Sequence, residues 1–143
     1  MRDRIARREL DMLAAVPLFA SCSQNELRQI ARLGTPLPVP SGTVLTSEGA
    51  PGREFFLIVE GNADCTIGGQ RAAQFGPGDF FGEMSLLDGG PRTATVTAVT
   101  DMDVLVLDAR EFSSLLAASP SITSKILATL ARRLRIADAA RSL

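Results

Sequence analysis

The residues best suited to chemistry lie in one stretch, "DFFGEMSLLDGGPRTATVTA", which covers residues 79–98. In it Glu83 follows a glycine, and Arg92 comes nine residues later behind a Gly-Gly-Pro turn. The guanidinium of Arg92 offers a permanent positive charge and a fork that fits two phosphate oxygens. Glu83 would repel an anion unless its carboxylate accepts a hydrogen bond from a nearby hydroxyl. Together the two residues suit a singly charged phosphodiester fused to a hydroxyl-bearing sugar.

The backbone between these two residues has features that suit the same chemistry. Gly82 allows a sharp exit of the chain after Phe80-Phe81. The letters "EMSLL" leave room for about one helical turn, whose first N–H groups have no partner within the helix. Such a turn can bind an anion.

Helical patterns precede this stretch. Residues 5–15 place Ile5, Leu10, Met12 and Leu13 on one face among arginines, which predicts a helix. Ser23 with Glu26 has the form of a capping box and predicts a second helix that stops at Gly34. The prolines within 36–40 exclude further helix.

The central part of the chain has a β pattern, and the last part is helical again. Short β-like segments separated by glycine-bearing turns run from Thr43 to Leu107 and predict an antiparallel sandwich or roll. Asp108 with Glu111 is another capping box, and Pro120 is favourable in the first turn of a further helix. That helix carries a stripe of apolar residues four positions apart: Ile122, Ile126, Leu130 and Leu134.

The stretch "FGEMSLLDGGPRTATV" resembles the phosphate-binding cassette of the cyclic-nucleotide-binding domains. That family includes catabolite activator proteins, regulatory subunits of cyclic-AMP-dependent protein kinase, and hyperpolarisation-activated channels. The upstream segments "VPLF", "SGTVLTSEGAPG", "FFLIVEG" and "FGPGDFFGE" are also similar to the family pattern. The resemblance covers about residues 16–137.

The resemblance implies an α+β fold, in which an antiparallel, jelly-roll-like β-roll of about eight strands has helices at both ends. A short helix is expected in the cassette. We expect one domain built from an N-terminal helical segment (1–34), a β-roll (35–108) with the cassette at 81–94, and C-terminal helices (109–143).

The resemblance also implies how a ligand would be held. Glu83 would bind the ribose 2′-hydroxyl, and Arg92 would bind the cyclic phosphate. Backbone N–H groups near Gly82, Met84 and Ser85 would complete the phosphate cradle, with the Ser85 hydroxyl able to add one bond.

The residues after the arginine bear on ligand choice. The hydroxyl of Thr93 could reach the phosphate or the base, and Ala94 follows it in the expected site. A threonine here occurs in family members of either nucleotide preference. We expect cyclic AMP (cAMP) ahead of cyclic GMP (cGMP).

The C-terminal helix has several interpretations. Leu130, Arg133 and Leu134 could form a lid over the base. The apolar stripe could equally pack on the roll or form the seam of a homodimer. The basic residues Arg132, Arg133 and Arg135 could cover the purine or touch a partner, although a solvated face near a helix C-terminus is the simpler interpretation.

Simpler interpretations also exist within the cassette. Arg92 could pair with Asp88 across a turn, and Glu83 could be a carboxylate favoured at a helix start. Thr93 could be the first residue of the strand "TATVTAV". Outside the cassette, Cys65 is expected to be a buried, small apolar residue.

Composition limits the other functional classes. The 143 residues fit one domain, the formal net charge is −1, and there is no histidine, tryptophan or tyrosine. The lack of histidine removes His-dependent catalysis and His-ligated metal sites, so we expect no catalytic residue, no metal and no cofactor. Two distant cysteines imply no disulfide framework, and no apolar run is long enough to span a membrane. We therefore expect a cytoplasmic location.

These observations predict a non-catalytic cyclic-nucleotide sensor that acts on an unidentified effector protein or fused domain. Too few residues follow Ile136 for a recognition helix, so we expect no DNA-binding domain in this chain. Two alternatives stay open. The chain could be a protein-interaction module whose cassette binds no nucleotide, or the sensor fragment of a larger regulator such as a transcription factor, channel or enzyme.

Overall fold

The computed structural model describes residues 10–11, 13–16, 19–20 and 22–142, with side chains as far as residue 136. Within the predicted helix 5–15, residues 10–11 and 13–14 are helical, and Leu10 and Leu13 are buried. Residues 5–9 and Met12 of that prediction lie outside the described residues, as do residues 17–18 of "VPLF".

Helices lie on either side of eight strands. Helix α1 is Gln24–Leu33, and the first six strands are β1 (Thr35–Val39), β2 (Val44–Thr46), β3 (Glu54–Glu60), β4 (Ala63–Ile67), β5 (Gln70–Phe75) and β6 (Phe80–Phe81). There follow α2 (Glu83–Asp88), β7 (Thr95–Ala98), β8 (Met102–Asp108), α3 (Ala109–Ala118) and α4 (Pro120–Ser142).

The strands form two four-stranded sheets, and the strand pairs are antiparallel. The first sheet has the order β1-β8-β3-β6, and the second has the order β2-β7-β4-β5. The predicted α+β architecture, an antiparallel roll of eight strands with helices at both ends and a short helix in the cassette, is confirmed.

Strand β1 extends the β region beyond what the pattern indicated. The sequence placed the first β segment at Thr43, whereas the structure has a strand at Thr35–Val39 that contains Pro36 and Pro38. Proline removes a backbone donor and is therefore tolerated in strands chiefly at a sheet edge. Strand β1 is an edge strand that pairs with β8 on one side, so its prolines are compatible with the sheet.

Local side-chain caps set the helix starts, as the sequence predicted. Ser23 and Glu26 form a reciprocal capping box at the start of α1. Asp108 and Glu111 form the same box at the start of α3. Helix α4 begins with Pro120, whose missing N–H costs nothing in the first turn.

Strand β3 separates two apolar clusters because alternate residues of a strand face opposite sides. Phe55 and Leu57 pack towards the helices in a cluster that we call the outer core. Phe56 and Ile58 face the space between the two sheets, which we call the roll interior. The letters "FFLI" are therefore a continuous apolar run because both faces of this strand are covered.

Helix α4 leaves the core gradually along its length. Ile122 and Ile126 are buried in the outer core, and Leu130 is partly buried against it. Leu134 is 63% exposed. The predicted apolar stripe therefore packs on the domain in its first half and is open to solvent in its second.

Candidate functional site

The cassette begins where strand β6 ends and the chain turns through Gly82. Phe81 stacks on Phe56 with ring centroids 4.9 Å apart, which anchors β6 to the roll interior. Gly82 then adopts φ +91°, and a Cβ at this position would collide with the carbonyl oxygen of Glu54. Glycine is therefore needed for both conformation and space, and the turn delivers Glu83 to the first position of α2.

The carboxylate of Glu83 is buried, and its two oxygens differ in their hydrogen bonding. The residue is 3% exposed, and its Oε1 accepts a hydrogen bond of 2.8 Å from Nη1 of Arg133. Its Oε2 is buried and has no hydrogen-bond partner among the described residues. A buried polar oxygen without a donor is costly, so this atom marks a place where a ligand hydroxyl would be stabilised.

Arg133 connects helix α4 to the cassette. Its Nη2 donates to the carbonyl oxygen of Phe80 at 2.7 Å, while its Nη1 holds Glu83. The guanidinium also lies over the ring of Phe80, 4.8 Å from the centroid, and 5.4 Å from that of Phe75. These contacts give the buried carboxylate a cationic partner that is itself held by a backbone carbonyl and two aromatic rings.

The other residues of the expected lid lie elsewhere in this structure. Leu130 packs against the outer core, and Leu134 is largely exposed. Arg132 and Arg135 are also exposed, as the solvated-face interpretation predicts. Of these five residues, the structure brings Arg133 to the cassette.

Arg92 is buried at 5% exposure and is held by groups of the roll. Its Nη1 donates to the carbonyl oxygen of Gly82 at 3.1 Å. Its Nη2 donates to the carbonyl oxygen of Glu54 at 3.0 Å and to Oε2 of the same residue at 3.1 Å. The guanidinium also lies 5.9 Å from the centroid of the Phe56 ring.

The interpretation that pairs Arg92 with Asp88 is wrong. The Oδ1 of Asp88 accepts a hydrogen bond from the N–H of Gly90 at 2.8 Å, while the carboxylate partner of Arg92 is Glu54. Asp88 is thus occupied within its own turn. This local bond helps the turn after α2 to close.

Sequence reasoning missed two residues that position Arg92. Glu54 opens strand β3, and Gly52 lies two residues before it. A Cβ at residue 52 would collide with Nε of Arg92 and lie 2.7 Å from its Cζ. The motif "GAPGREFF" contains both residues, but only the fold brings them against an arginine about 40 positions later.

The remaining cassette residues differ in exposure. Ser85 is buried, Met84 and Thr93 are exposed, and Ala94 is half-buried beside the roll interior. The carbonyl of Ala94 accepts a hydrogen bond from Oγ1 of Thr46 at 3.1 Å. Gly82 is the N-cap of α2, and no side chain of the described residues caps the first turn of this helix.

Thr93 is not the first residue of a strand. Strand β7 begins at Thr95, and Thr93 lies in a bend before it. The interpretation of Thr93 as a strand residue is therefore wrong. Its exposed hydroxyl precedes the sheet at the edge of the cassette.

Cys65 lies in the roll interior, as predicted for a buried small residue. Burial raises the pKa of its thiol, the positive charge of Arg133 lowers it, and the negative charge of Glu83 raises it again. The thiol is therefore protonated near neutral pH.

Metal-binding groups and membrane-spanning helices were also sought in the part of the chain that the structure describes. There, no group of three His, Cys, Asp or Glu residues could hold a metal ion. Among the same residues, no helix combines the length and the apolar character needed to cross a membrane.

The fold and the cassette together define a class of protein. A sequence model of the cyclic nucleotide-binding domain matches residues 36–119, more than half of the chain. The chain therefore belongs to the cyclic nucleotide-binding domain family, which confirms the resemblance seen in the sequence.

The chain is similar to a channel, a transcriptional regulator and an activator protein. A cyclic nucleotide-gated potassium channel of Rhizobium etli is 39% identical over 88% of this chain and 35% of its own length. A CRP-like cAMP-activated global transcriptional regulator of Mycobacterium tuberculosis is 31% identical over 87% of this chain and 58% of its own length. The crystal structure of Thermus thermophilus catabolite activator protein superposes with a TM-score of 0.78 at 34% identity, covering 89% of this chain and 62% of that one. The chain thus spans only part of each of these proteins.

Proposed function

We propose that this chain is a non-catalytic regulatory domain that binds cAMP, with the ribose on Glu83 and the cyclic phosphate on Arg92. The observation that carries the proposal is the buried Oε2 of Glu83, which has no donor among the described residues. It lies in the same cassette as a buried arginine whose Nη1 is bonded to the carbonyl of the neighbouring Gly82. The residues present therefore fit a ligand that joins a hydroxyl to an anionic phosphate.

Arg133 makes the ribose contact compatible with an anionic ligand. Because its guanidinium lies 2.8 Å from Oε1 of Glu83, it offsets the negative charge that would otherwise repel the phosphate. The second carboxylate oxygen stays available to accept the 2′-hydroxyl. A ligand hydroxyl can thus bind without breaking the ion pair.

Arg92 suits the phosphate because its ion pair with the exposed carboxylate of Glu54 is weak. The Glu54 side chain is 53% exposed, so its carboxylate can move into water at small cost. A phosphate oxygen would replace it, while the carbonyls of Gly82 and Glu54 keep the guanidinium oriented. We propose that the uncapped N–H groups at the start of α2 and the buried Ser85 hydroxyl complete the cradle.

The choice of cAMP over cGMP is supported by relatives and not by a contact seen here. The regulator of M. tuberculosis is described as cAMP-activated. Met84 and Thr93 are exposed and Ala94 is half-buried, and we propose that the ring and base lie beside these residues. A base contact from Thr93 would favour guanine and is the alternative that the titration below distinguishes.

Helix α4 is the element that would change position when the nucleotide binds. Arg133 connects that helix to Glu83, so the ligand and the helix share one carboxylate. A ligand shifts a conformational equilibrium only by its differential affinity for the two states. We propose that nucleotide binding changes the position of α4, that Leu130 and Leu134 then contact the base, and that an effector protein or fused domain responds.

Isothermal titration calorimetry with cAMP, cGMP and linear 5′-AMP tests this proposal. We expect saturable binding of cAMP at roughly micromolar affinity, about −8 kcal/mol, weaker binding of cGMP, and little binding of AMP. Protein concentration must be measured without 280 nm absorbance, since the chain has no Trp or Tyr. No saturable heat with either cyclic nucleotide would contradict the proposal and leave an interaction module in which the cassette is scaffold.

A further inference from the structure

Arg92 is held through its backbone as well as through its guanidinium. The residues that hold its backbone belong to a turn between β2 and β3, which we call the 47–50 turn. The N–H of Gly49 donates to the carbonyl of Arg92 at 2.8 Å, and the N–H of Arg92 donates to the carbonyl of Ala50 at 2.9 Å. Two residues of the turn thus oppose one residue of the cassette, which is the arrangement of a β-bulge. Bulges next to functional sites direct a side chain, which here is the side chain of Arg92.

The 47–50 turn depends on a glycine at its third position. The N–H of Ala50 donates to the carbonyl of Ser47 at 3.0 Å and closes the turn. Gly49 has φ +81°, the positive value that a type II turn requires at its third residue. The same glycine is the first residue of the bulge. Glu48, at the second position, is therefore the corner that sets how the turn meets the cassette.

Glu48 joins this corner to two other elements of the roll. Its N–H donates to Oγ1 of Thr95, the first residue of β7, at 2.9 Å. Its Oε1 accepts a hydrogen bond of 2.9 Å from the N–H of Gly68, which lies in the turn between β4 and β5. One residue therefore connects the β4–β5 hairpin and β7 to the turn that holds the backbone of Arg92.

We propose that Glu48 is a positioning residue for the nucleotide site. By tying the 47–50 turn to the β4–β5 hairpin, it fixes the backbone from which the guanidinium of Arg92 extends. The Oε1 of Glu48 bonds to Gly68 and not to the guanidinium, so its effect on a ligand passes through the turn. The inference rests on the function proposed above, because it takes Arg92 as the phosphate ligand, and it adds a residue outside the cassette.

Glu48 can be replaced without threatening the fold. Its side chain and Gly68 are both exposed, so their hydrogen bond contributes little to the free energy of unfolding. Glu48→Ala removes the acceptor for Gly68, whereas Glu48→Gln removes the charge and keeps an acceptor. Glu60→Ala is the matched control, since Glu60 is an exposed glutamate at the opposite end of β3 from Glu54.

Hydrogen exchange in the ligand-free protein tests the positioning step by itself. NMR of ¹⁵N-labelled protein follows the amide protons of Gly49 and Arg92, which are hydrogen-bonded across the bulge. We expect both to exchange roughly fivefold faster in Glu48→Ala, as the loss of one hydrogen bond allows. In Glu48→Gln and Glu60→Ala they should exchange as in the wild type. Amides within β8 should exchange alike in all four proteins, which separates a local opening from a loss of global stability.

Calorimetry with cAMP tests the consequence for the ligand. Glu48→Ala should bind roughly fivefold more weakly, and Glu48→Gln and Glu60→Ala should bind with the affinity of the wild type. The loss should be the same for cAMP and 2′-deoxy-cAMP, because Glu48 acts on the arginine and not on the ribose contact.

The outcomes separate this inference from the function on which it rests. A wild type that binds no cAMP would overturn both. A wild type that binds cAMP, with unchanged affinity or unchanged exchange in Glu48→Ala, would overturn the inference alone. Equal losses in Glu48→Ala and Glu48→Gln would also overturn it, since the charge and not the hydrogen bond to Gly68 would then be responsible.

Discussion

The two charged residues of the cassette are held in different ways. Arg92, at what we call the arginine end, takes its partners from the roll, namely Glu54 and Gly82. Glu83, at the glutamate end, takes its positive partner from Arg133 of helix α4, fifty residues later. The arginine end is thus part of the sheet scaffold, whereas the glutamate end depends on where a helix lies.

The two ends also differ in how completely their hydrogen bonds are satisfied. Arg92 donates to two backbone carbonyls and one carboxylate, so the loss of one partner leaves others. Among the residues that the structure describes, Glu83 has one cationic partner and one buried oxygen without a donor. The difference indicates that the roll fixes the arginine end, whereas the surroundings of Glu83 at the glutamate end depend on the position of helix α4.

The largest effect is expected from loss of the arginine end. Arg92→Ala should weaken cAMP binding by about 2–5 kcal/mol, as expected when one partner of a buried charge pair is truncated. Arg71→Ala is the matched control, since Arg71 forms an exposed ion pair with Asp64 on the same roll. We expect calorimetry to show that this control binds cAMP with the affinity of the wild type. Similar affinities for wild type and Arg92→Ala would exclude this arginine as the phosphate ligand.

The glutamate end should respond to helix α4, and the arginine end should not. Arg133→Ala leaves Glu83 buried without its cation, which should reduce the free energy of unfolding by about 1–3 kcal/mol, since Arg133 is itself one-third exposed. Glu83→Gln removes the charge and should make the loss of Arg133 less costly. Urea unfolding followed by circular dichroism measures these changes.

A double-mutant cycle separates the two ends. We expect a coupling energy of about 1 kcal/mol or more between residues 83 and 133, and close to zero between residues 92 and 133. Equal coupling in the two cycles would mean that the ends are not independent. In that case the assignment of Arg92 to the scaffold would be wrong.

A smaller effect on cAMP binding is expected at Gly52, which packs against the side chain of Arg92. Gly52→Ala places a Cβ against Nε of Arg92 and should move the guanidinium from its position, with roughly tenfold weaker cAMP binding. Because the guanidinium is buried and loses hydrogen bonds when it moves, the melting temperature should also fall. Gly76→Ala is the control, since its Cβ would approach Oδ1 of Asn62 at 3.1 Å, away from the cassette. Wild-type affinity of Gly52→Ala would show that the guanidinium does not need this position.

The smallest effect is expected at Glu54. Its side chain is half exposed, and its carbonyl continues to hold Arg92 after substitution. Glu54→Gln should therefore change the free energy of unfolding by less than about 1 kcal/mol. A larger loss in urea unfolding would mean that the carboxylate, and not the carbonyls, fixes the arginine.

Features that depend on neighbouring residues could be predicted from the sequence. The capping boxes at Ser23 and Asp108 and the glycines that start and stop α2 are local, and each has a direct physical cause. The cassette itself was recognised because its residue pattern is long and specific. The order of the strands could be expected only through the family resemblance.

Contacts between distant residues could not be derived from the pattern. Nothing in "GAPGREFF" indicates that Gly52 and Glu54 meet Arg92, because that approach depends on how β3 and the cassette are folded together. Among the clustered arginines of α4, only helix placement distinguishes Arg133 from its exposed neighbours. The residue pattern began the first β segment at Thr43, although the expected β-roll began at residue 35, because prolines argue against a strand unless its edge position is known.

We propose that Glu83 accepts a hydroxyl of the bound nucleotide through its Oε2. Calorimetric titration of cAMP and 2′-deoxy-cAMP into wild type and Glu83→Ala tests this claim. We expect the deoxy ligand to bind wild type roughly tenfold or more weakly, the value of one hydrogen bond to a charged group, and the variant to bind both ligands alike. An equal difference between the ligands in both proteins, or no difference in wild type, would contradict the claim.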